Sequence, residues 1–363
     1  MLNPELLLQE ISPNGNLMAF VEQTEHCCHF YLQGEKDSSF GLKSCWVRNF
    51  TAAPEQLDVN AMRNGVAPML PQSFCLHPDG APRFNSQDLA LIWAEEGDAA
   101  ALTHGGEIIA IIPSWSGMNG FHGYARDCSG ESPLCWELGT PETNAQFARY
   151  AAAADYWQSW SADPSPWPPL QDSFIRALEK TFGPHSNYYA IDGGQWPPKA
   201  LLRIPTTAAT VLATTGICIR PQPAVELHFE DPAPHRRIEF AMAVHPALTN
   251  DLVMKTGSYL SGQSNLPWQN FTFLGHGHTL PCEVLSEFTS GRFPFILFVK
   301  EGLNVPHVPL PAYQTDPVNL LWLVPISAAE QQFATTQGSA ALIERLEKSG
   351  ANWIFQPARP SAC

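Results

Sequence analysis

Four soft metal ligands stand in a row at residues 25–30, EHCCHF. The apolar alternation of HFYLQG (29–34) reads as a strand, and successive side chains on a strand point to opposite faces. His26 and Cys28 then face one way and Cys27 and His29 the other, so no single ion can collect all four. A structural zinc site draws four ligands, usually from two separated pairs, and no second C-x-x-C or H-x-x-x-H pair follows. A second group, GHGHTLPCE (275–283), puts His276 and His278 on one face when extended, which is two of the three ligands of a catalytic zinc site. The plainer reading is a glycine-rich turn entering a strand, and no metal and no cofactor is expected. The loop PSWSGMNGFHGYARDC (113–128) offers Ser114, Ser116, His122, Arg126 and Asp127 for acyl chemistry. It has no G-x-S-x-G elbow, and only geometry identifies a triad. Its Trp115, Phe121 and His122 suit contact with a partner equally well. No G-x-G-x-x-G or P-loop is present either.

Two further stretches carry acids. WAEEGDAAAL (93–102) gathers Glu95, Glu96 and Asp98, which can do acid–base work if burial separates their pKa values. At a strand end such acids are more often a solvated turn that a basic partner can reach. In YYAIDGGQWPPKAL (188–201), Asp192 precedes two glycines, and Trp196, two prolines and Lys199 follow. Asp-Gly-Gly is turn chemistry, so the expectation is a structural loop. Asp192 and Trp196 are retained as candidate contacts with a partner.

The chain has 363 residues, 44% of them hydrophobic and only 15% charged, with a formal net charge of −15. That charge is uneven. Residues 1–163 carry 7 basic against 20 acidic side chains (−13), and residues 164–363 carry 13 against 15 (−2). Binding to nucleic acid or an anionic membrane is disfavoured for the first part, since both need positive charge. A basic protein partner suits it. Nine irregularly spaced cysteines and a start, MLNPELLLQEISPNG, without a basic residue or an apolar run argue for reduced thiols and a cytoplasmic location. No stretch approaches the roughly 18 apolar residues of a membrane span.

Proline-rich SADPSPWPP (161–169) reads as a linker without regular structure, dividing a 1–163 acidic α+β region from a 164–363 domain. Helices are expected over 142–160, over 170–183 with Leu170, Phe174, Ala177, Leu178 and Phe182 on one stripe, and over 245–262. Strands are expected at 17–22, 29–34, 43–50, 89–96, 107–113, 209–220, 224–230, 236–244, 294–301 and 319–326. Near the end, Ser327 and Glu330 have the spacing of a capping box, with Gly338 ending that helix and Ser339 capping the next. Strands clustered between helices favour α+β over a doubly wound sheet.

The segments FIRALEKTFGPH (174–185), VLATTGICIRPQP (211–223), ELHFEDPAPHRRIEFAMAV (226–244), LSGQSNLPWQNFTFLGHGHTLP (260–281), FPFILFVKEGL (293–303) and LLWLVPISAAEQQFATTQGSAALIERLEKSG (320–350) resemble the suppressor-of-fused (SUFU) domain family. SCWVRNF, IWAEEGDAAAL, IPSWSGMNGFHGYARDC and IDGGQWPPKALL resemble a bacterial branch with an N-terminal extension. The resemblance implies a curved, mostly antiparallel sheet with flanking helices, and no catalysis. Animal members hold a transcription factor of the Gli type by pairing an extended peptide with sheet edges. Their peptide site uses an acid where Ile219 or Arg220 stands here, so that specificity does not carry over. Bacterial members include immunity proteins that neutralise toxins. The expected function is therefore a non-enzymatic protein-binding module of the immunity-protein kind, with a protein partner such as a basic toxin. The competing readings are a hydrolase or metalloenzyme built on His122/Asp127 or His276/His278, and a scaffold for an unrelated partner.

Overall fold

The computed structural model describes residues 4–36 and 38–363, so the first three residues of the N-terminal stretch and Asp37 lie outside it. The chain divides into two compact units, Met1–Pro164 and Ser165–Cys363. Both mix strands and helices, and the fold class is α+β.

In the first unit, β1 (Glu5–Ile11), β2 (Leu17–Gln23), β3 (Cys27–Gly34) and β4 (Leu42–Asn49) form an antiparallel sheet in sequence order. Strict alternation in β2 buries Leu17, Ala19 and Val21 on one face, the pattern of a sheet with one face on a core. After the short helix α1 (Val59–Arg63), a second sheet follows in sequence order: β5 (Leu89–Trp93), β6 (Ala100–His104), β7 (Glu107–Ile112), β8 (Tyr124–Ala125) and β9 (Trp136–Glu137). The helix α2 (Gln146–Trp160) buries Tyr150 against Ala94, Ala99, Ala101 and Ile111 of that sheet. Its Trp157 indole donates to the Trp93 carbonyl at 2.9 Å.

The second unit opens with α3 (Trp167–Phe182), which begins inside the proline run expected to be linker. Pro168 and Pro169 occupy its first turn, where a missing N–H deprives the helix of nothing. The strands β10 (Asn187–Ala190), β11 (Ala200–Pro205), β12 (Thr210–Thr215), β13 (Arg237–Val244), β14 (Thr279–Pro281), β15 (Phe295–Val299) and β16 (Val318–Ile326) form one sheet in the order β10-β11-β12-β13-β16-β15-β14, with β17 (Ile354–Phe355) pairing β13. Pairing is antiparallel except at β13–β16 and β13–β17.

Both faces of this sheet are covered. Alternate residues Ala241 and Ala243 of β13 and Trp322 and Val324 of β16 pack with Leu178 of α3 and with Leu342 and Leu346 of α8 (Ser339–Lys348). On the other face, Ile238, Phe240, Leu321 and Leu323 pack with Leu252 and Leu260 of α4 (Asn250–Gln263) and, past the short α5 (Leu266–Gln269), with Leu285 of α6 (Glu283–Phe288). Central strands buried on two faces read as continuous apolar runs, as RIEFAMAV and NLLWLVPI do. The helix α7 (Ala328–Gln337) starts with the complete Ser327/Glu330 capping box.

Three local expectations need correction. The strand over 209–220 stops at Thr215, because Gly216 turns with φ +100° into a short 3-10 turn, 217–219. The strand expected over 224–230 is absent, and Val225–Leu227 within it form another 3-10 turn. Pro221 and Pro223 lack the N–H a ladder needs and Ala224 sits at φ +61°. Gly338, not Ser339, is the residue before α8, and no side chain caps that helix.

Candidate functional site

Polar chemistry in the second unit concentrates where β13 begins. Arg237 and Glu239 point to the same face of the strand and both are fully buried. The Glu239 carboxylate accepts from Thr214 Oγ1 at 2.7 Å and from the N–H groups of Gly216 and Cys218 at 2.7 and 3.1 Å. The Arg237 guanidinium donates to the carbonyls of Cys218 and Ile219 at 3.0 and 2.7 Å, to Asp316 at 2.8 Å and to Gln314 at 2.6 Å. Two side chains of one strand thus grip both the donors and the acceptors of the 216–219 turn. Backbone groups buried in a turn need such partners. Burial still pushes the Glu239 carboxyl above its ordinary value, against these hydrogen bonds. A Cβ on Gly216 would lie 2.3 Å from the Pro198 carbonyl, so this turn is tied to the 192–199 loop as well.

That loop is architectural. Asp192 half-buries its carboxylate and accepts from the N–H of Gly194 at 2.6 Å and of Lys199 at 3.0 Å, closing a turn over Gly193 and Gly194, both at positive φ. Trp196 lies 5.8 Å from the Arg220 guanidinium and Trp268 lies 4.3 Å from it on their ring centroids, a cation held between two indoles. Lys199 is buried and donates to Ser264 Oγ at 3.1 Å and Asn265 Oδ1 at 2.5 Å. Burial, reinforced by the nearby Arg220, lowers its pKa to about 8. A buried amine beside a serine hydroxyl is the start of a Ser–Lys arrangement. Here Lys199 is 3% and Ser264 0% exposed, so the pair is closed off from solvent. Asp192 and Trp196 are brought together with Lys199 and Arg220, and all four serve the loop's own structure.

The first-unit candidates separate into two places. Phe121 is buried, with Tyr124 and Trp136 edge-on at 5.0 and 4.9 Å and Trp115 stacked at 6.4 Å. Ser116 Oγ donates to the carbonyl of His122, not to its ring, at 2.5 Å. Asp127 is engaged by Arg48 at 2.5 Å, with Arg126 at 3.7 Å and His77 at 4.0 Å. The proposed His122/Asp127 partnership therefore gives way to an arginine-bound aspartate. Glu96 and Asp98 are buried rather than a solvated turn, with Arg149 of α2 at 3.2 Å from Glu96. Glu95 is half-buried. Their burial withdraws Glu96 and Asp98 from any contact surface.

The histidine pairs are placed as follows. His276 Nδ1 accepts from the Lys300 N–H at 3.1 Å. His278 packs on the Phe273 ring at 5.1 Å and lines a cavity of about 400 Å³ with Thr272, Thr335 and Ser339. Burial lowers the pKa of both rings. Among the described residues no cluster of three or more His, Cys, Asp or Glu can hold a metal ion, and no helix is long and apolar enough to cross a membrane. Cys27 and His29 do share one face of β3, 3.9 Å apart. His29 is buried and its pKa falls to about 4 because desolvation penalises the cation.

A pH dependence follows from His29. The unfolded chain takes up a proton near pH 6.5 that the folded one refuses until about pH 4. Its contribution to stability is present above 6.5 and is lost as pH falls towards 4. Urea unfolding of the wild type should lose about 2 kcal/mol more between pH 7 and pH 5 than His29→Phe does. Equal losses in the two proteins would show that His29 is not held neutral.

The arginine clamp and the tryptophan pair were missed from sequence. Their one visible signal is that RRIEF places two charges inside a strand otherwise apolar on both faces. Comparison with known proteins gives one family. The family model described as Suppressor of fused protein (SUFU) matches residues 195–360. That span holds Trp196, Lys199, Arg220, Arg237, Glu239, Trp268 and Asp316 and excludes Asp192. Among solved structures, one described as the Sufu-Fu complex crystal structure is similar at 15% identity with a TM-score of 0.39, covering 54% of this chain and 93% of that one. No curated protein matches the chain. The likeness to the suppressor-of-fused family is therefore carried by residues 195–360, within the second unit.

Proposed function

We propose that the chain is a non-enzymatic, cytoplasmic protein-binding module whose acidic first unit receives a basic protein partner. One observation carries this reading. Among the described residues of the first unit, fourteen acidic side chains are exposed against three basic ones, Lys36, Arg63 and Arg83. The buried acids Glu96 and Asp98 face Arg149 or the interior, so the outward excess is a surface property. A field of one sign accelerates encounter with an oppositely charged protein and rejects like-charged ones. The SUFU match supports a binding rather than a catalytic module, as does the use of Asp127 by Arg48 and of His276 by the Lys300 N–H in local structure. The finer form of the proposal is a bacterial immunity protein that neutralises a basic toxin. Mixing the protein with the basic product of its neighbouring gene should give a 1:1 complex in size exclusion at low salt, weakened at high salt, and co-expression should relieve toxicity. Separate elution at low salt together with unrelieved toxicity would overturn it.

A further inference from the structure

The sheet β1–β4 has one face in the core, and its other face, covered at His29 and Trp46, elsewhere breaks the usual rule for antiparallel sheets, where the solvent face is polar. Inward lie Leu17, Ala19, Val21, Phe30, Leu32 and Cys45, all buried. Cross-strand pairing puts Leu6, Ile11, Met18, Phe20, Tyr31 and Leu42 together on the other face. Leu6, Ile11 and Leu42 are 51%, 64% and 59% exposed, and Phe20 stacks on Tyr31 at 4.7 Å between them. An apolar patch drawn from all four strands marks an interaction surface rather than scattered exposure.

Among the described residues no strand pairs the outer edge of β1. The Ser12 N–H donates to the Leu17 carbonyl. By the alternation of an antiparallel ladder the backbone groups of Glu10 and Leu8 then face β2, and those of Gln9 and Ile11 face outward. Both residues are exposed. A free edge with apolar side chains is a template for another strand. The charges select which one: Glu22 lies on this face opposite Leu6, and the edge strand itself carries the exposed Glu5, paired with Arg83 at 3.1 Å, and Glu10, which accepts from the Trp93 indole at 2.7 Å. A second copy of this acidic unit would meet like charge.

We infer that β1 and the apolar face of its sheet dock an extended segment of the partner in which apolar residues alternate with lysine or arginine. The segment adds to the β1 edge, lays its apolar side chains beside Leu6 and Ile11, and turns its cations to the flanking acids. This rests on the reading of the chain as a binder of basic proteins and names the surface.

The test uses the full chain and a labelled ten-residue peptide of alternating lysine and valine, with a glutamate–valine peptide as the control. Fluorescence anisotropy should show saturable binding of the lysine peptide only, weakened at least tenfold by Phe20→Lys and by Gln9→Pro. Gln9→Pro removes an outward N–H that the β1–β2 ladder does not use. Hydrogen exchange on the unmodified protein gives a readout that needs no variant: the Gln9 and Ile11 amides should gain protection. Binding with protection elsewhere, indifferent to both variants, would overturn this surface and leave the basic-partner reading standing. Concentration-dependent dimers that bury this face would overturn the choice of occupant. No binding of the lysine peptide even at low salt would count against both.

Discussion

Replacing Arg237 by alanine is expected to destabilise the second unit by about 3–5 kcal/mol, the usual loss when one partner of a buried ion pair is removed. The guanidinium is wholly enclosed and satisfies the Asp316 carboxylate, the Gln314 amide and two carbonyls of the 216–219 turn. Its loss leaves a buried carboxylate with Arg236 alone, at 2.7 Å, and two buried carbonyls without donors. Asp316→Asn in the same background should recover part of the loss, because the uncompensated charge goes with it. Urea unfolding reads both effects. A loss under about 1 kcal/mol would mean that the turn is held by its neighbours and not by Arg237.

Glu330→Ala should be comparably damaging, about 3 kcal/mol or more, by a second route. Glu330 is buried at the start of α7, where it completes the capping box by accepting from the Ser327 N–H at 2.7 Å. Arg359 donates to both of its oxygens at 2.7 and 2.8 Å, and the Ala362 N–H adds a bond at 2.8 Å. One carboxylate therefore caps a helix and fastens the C-terminal segment. Burial alone would raise its pKa, but the Arg359 guanidinium and these N–H donors outweigh it and hold the carboxyl below its ordinary value. Its contribution is present above about pH 4.5 and is lost as pH falls through the lower folded value. Arg359→Ala should reproduce most of the loss and free residues 356–363 to rapid hydrogen exchange. If the tail stayed protected in Glu330→Ala, the pinning role would be wrong.

Features determined by neighbours in the chain were legible from the amino acids. The Ser327/Glu330 box, the alternation of LMAFVE and the burial of both faces of RIEFAMAV and NLLWLVPI depend on residues within a few positions. The Asp192–Gly193–Gly194 turn is of the same kind. What escaped depends on distant partners. Glu96 looks solvated until Arg149, on a helix more than fifty residues later, pairs with it, and Asp98 is buried beside it in the chain. Asp127 looks like a catalytic acid until Arg48 from another sheet takes it. The Arg237 clamp needs Asp316 some eighty residues away. Proline gave the opposite error: Pro168 and Pro169 signalled a linker because their tolerance in a first helical turn depends on where the helix begins. The exposed face of β1–β4 went unnoticed because β1 itself, with few apolar alternations, was not expected as a strand.

The claim on which the account turns is that an acidic surface recruits a basic protein, and stopped-flow association with the product of the neighbouring gene tests it most directly. The association rate should fall at least tenfold between low salt and about 0.5 M, where screening shortens to a few ångströms, while the dissociation rate changes little. Neutralising Glu5, Glu10 and Glu22 together to glutamine should lower the low-salt rate and flatten this dependence. An association rate indifferent to salt and to those three substitutions would contradict the account.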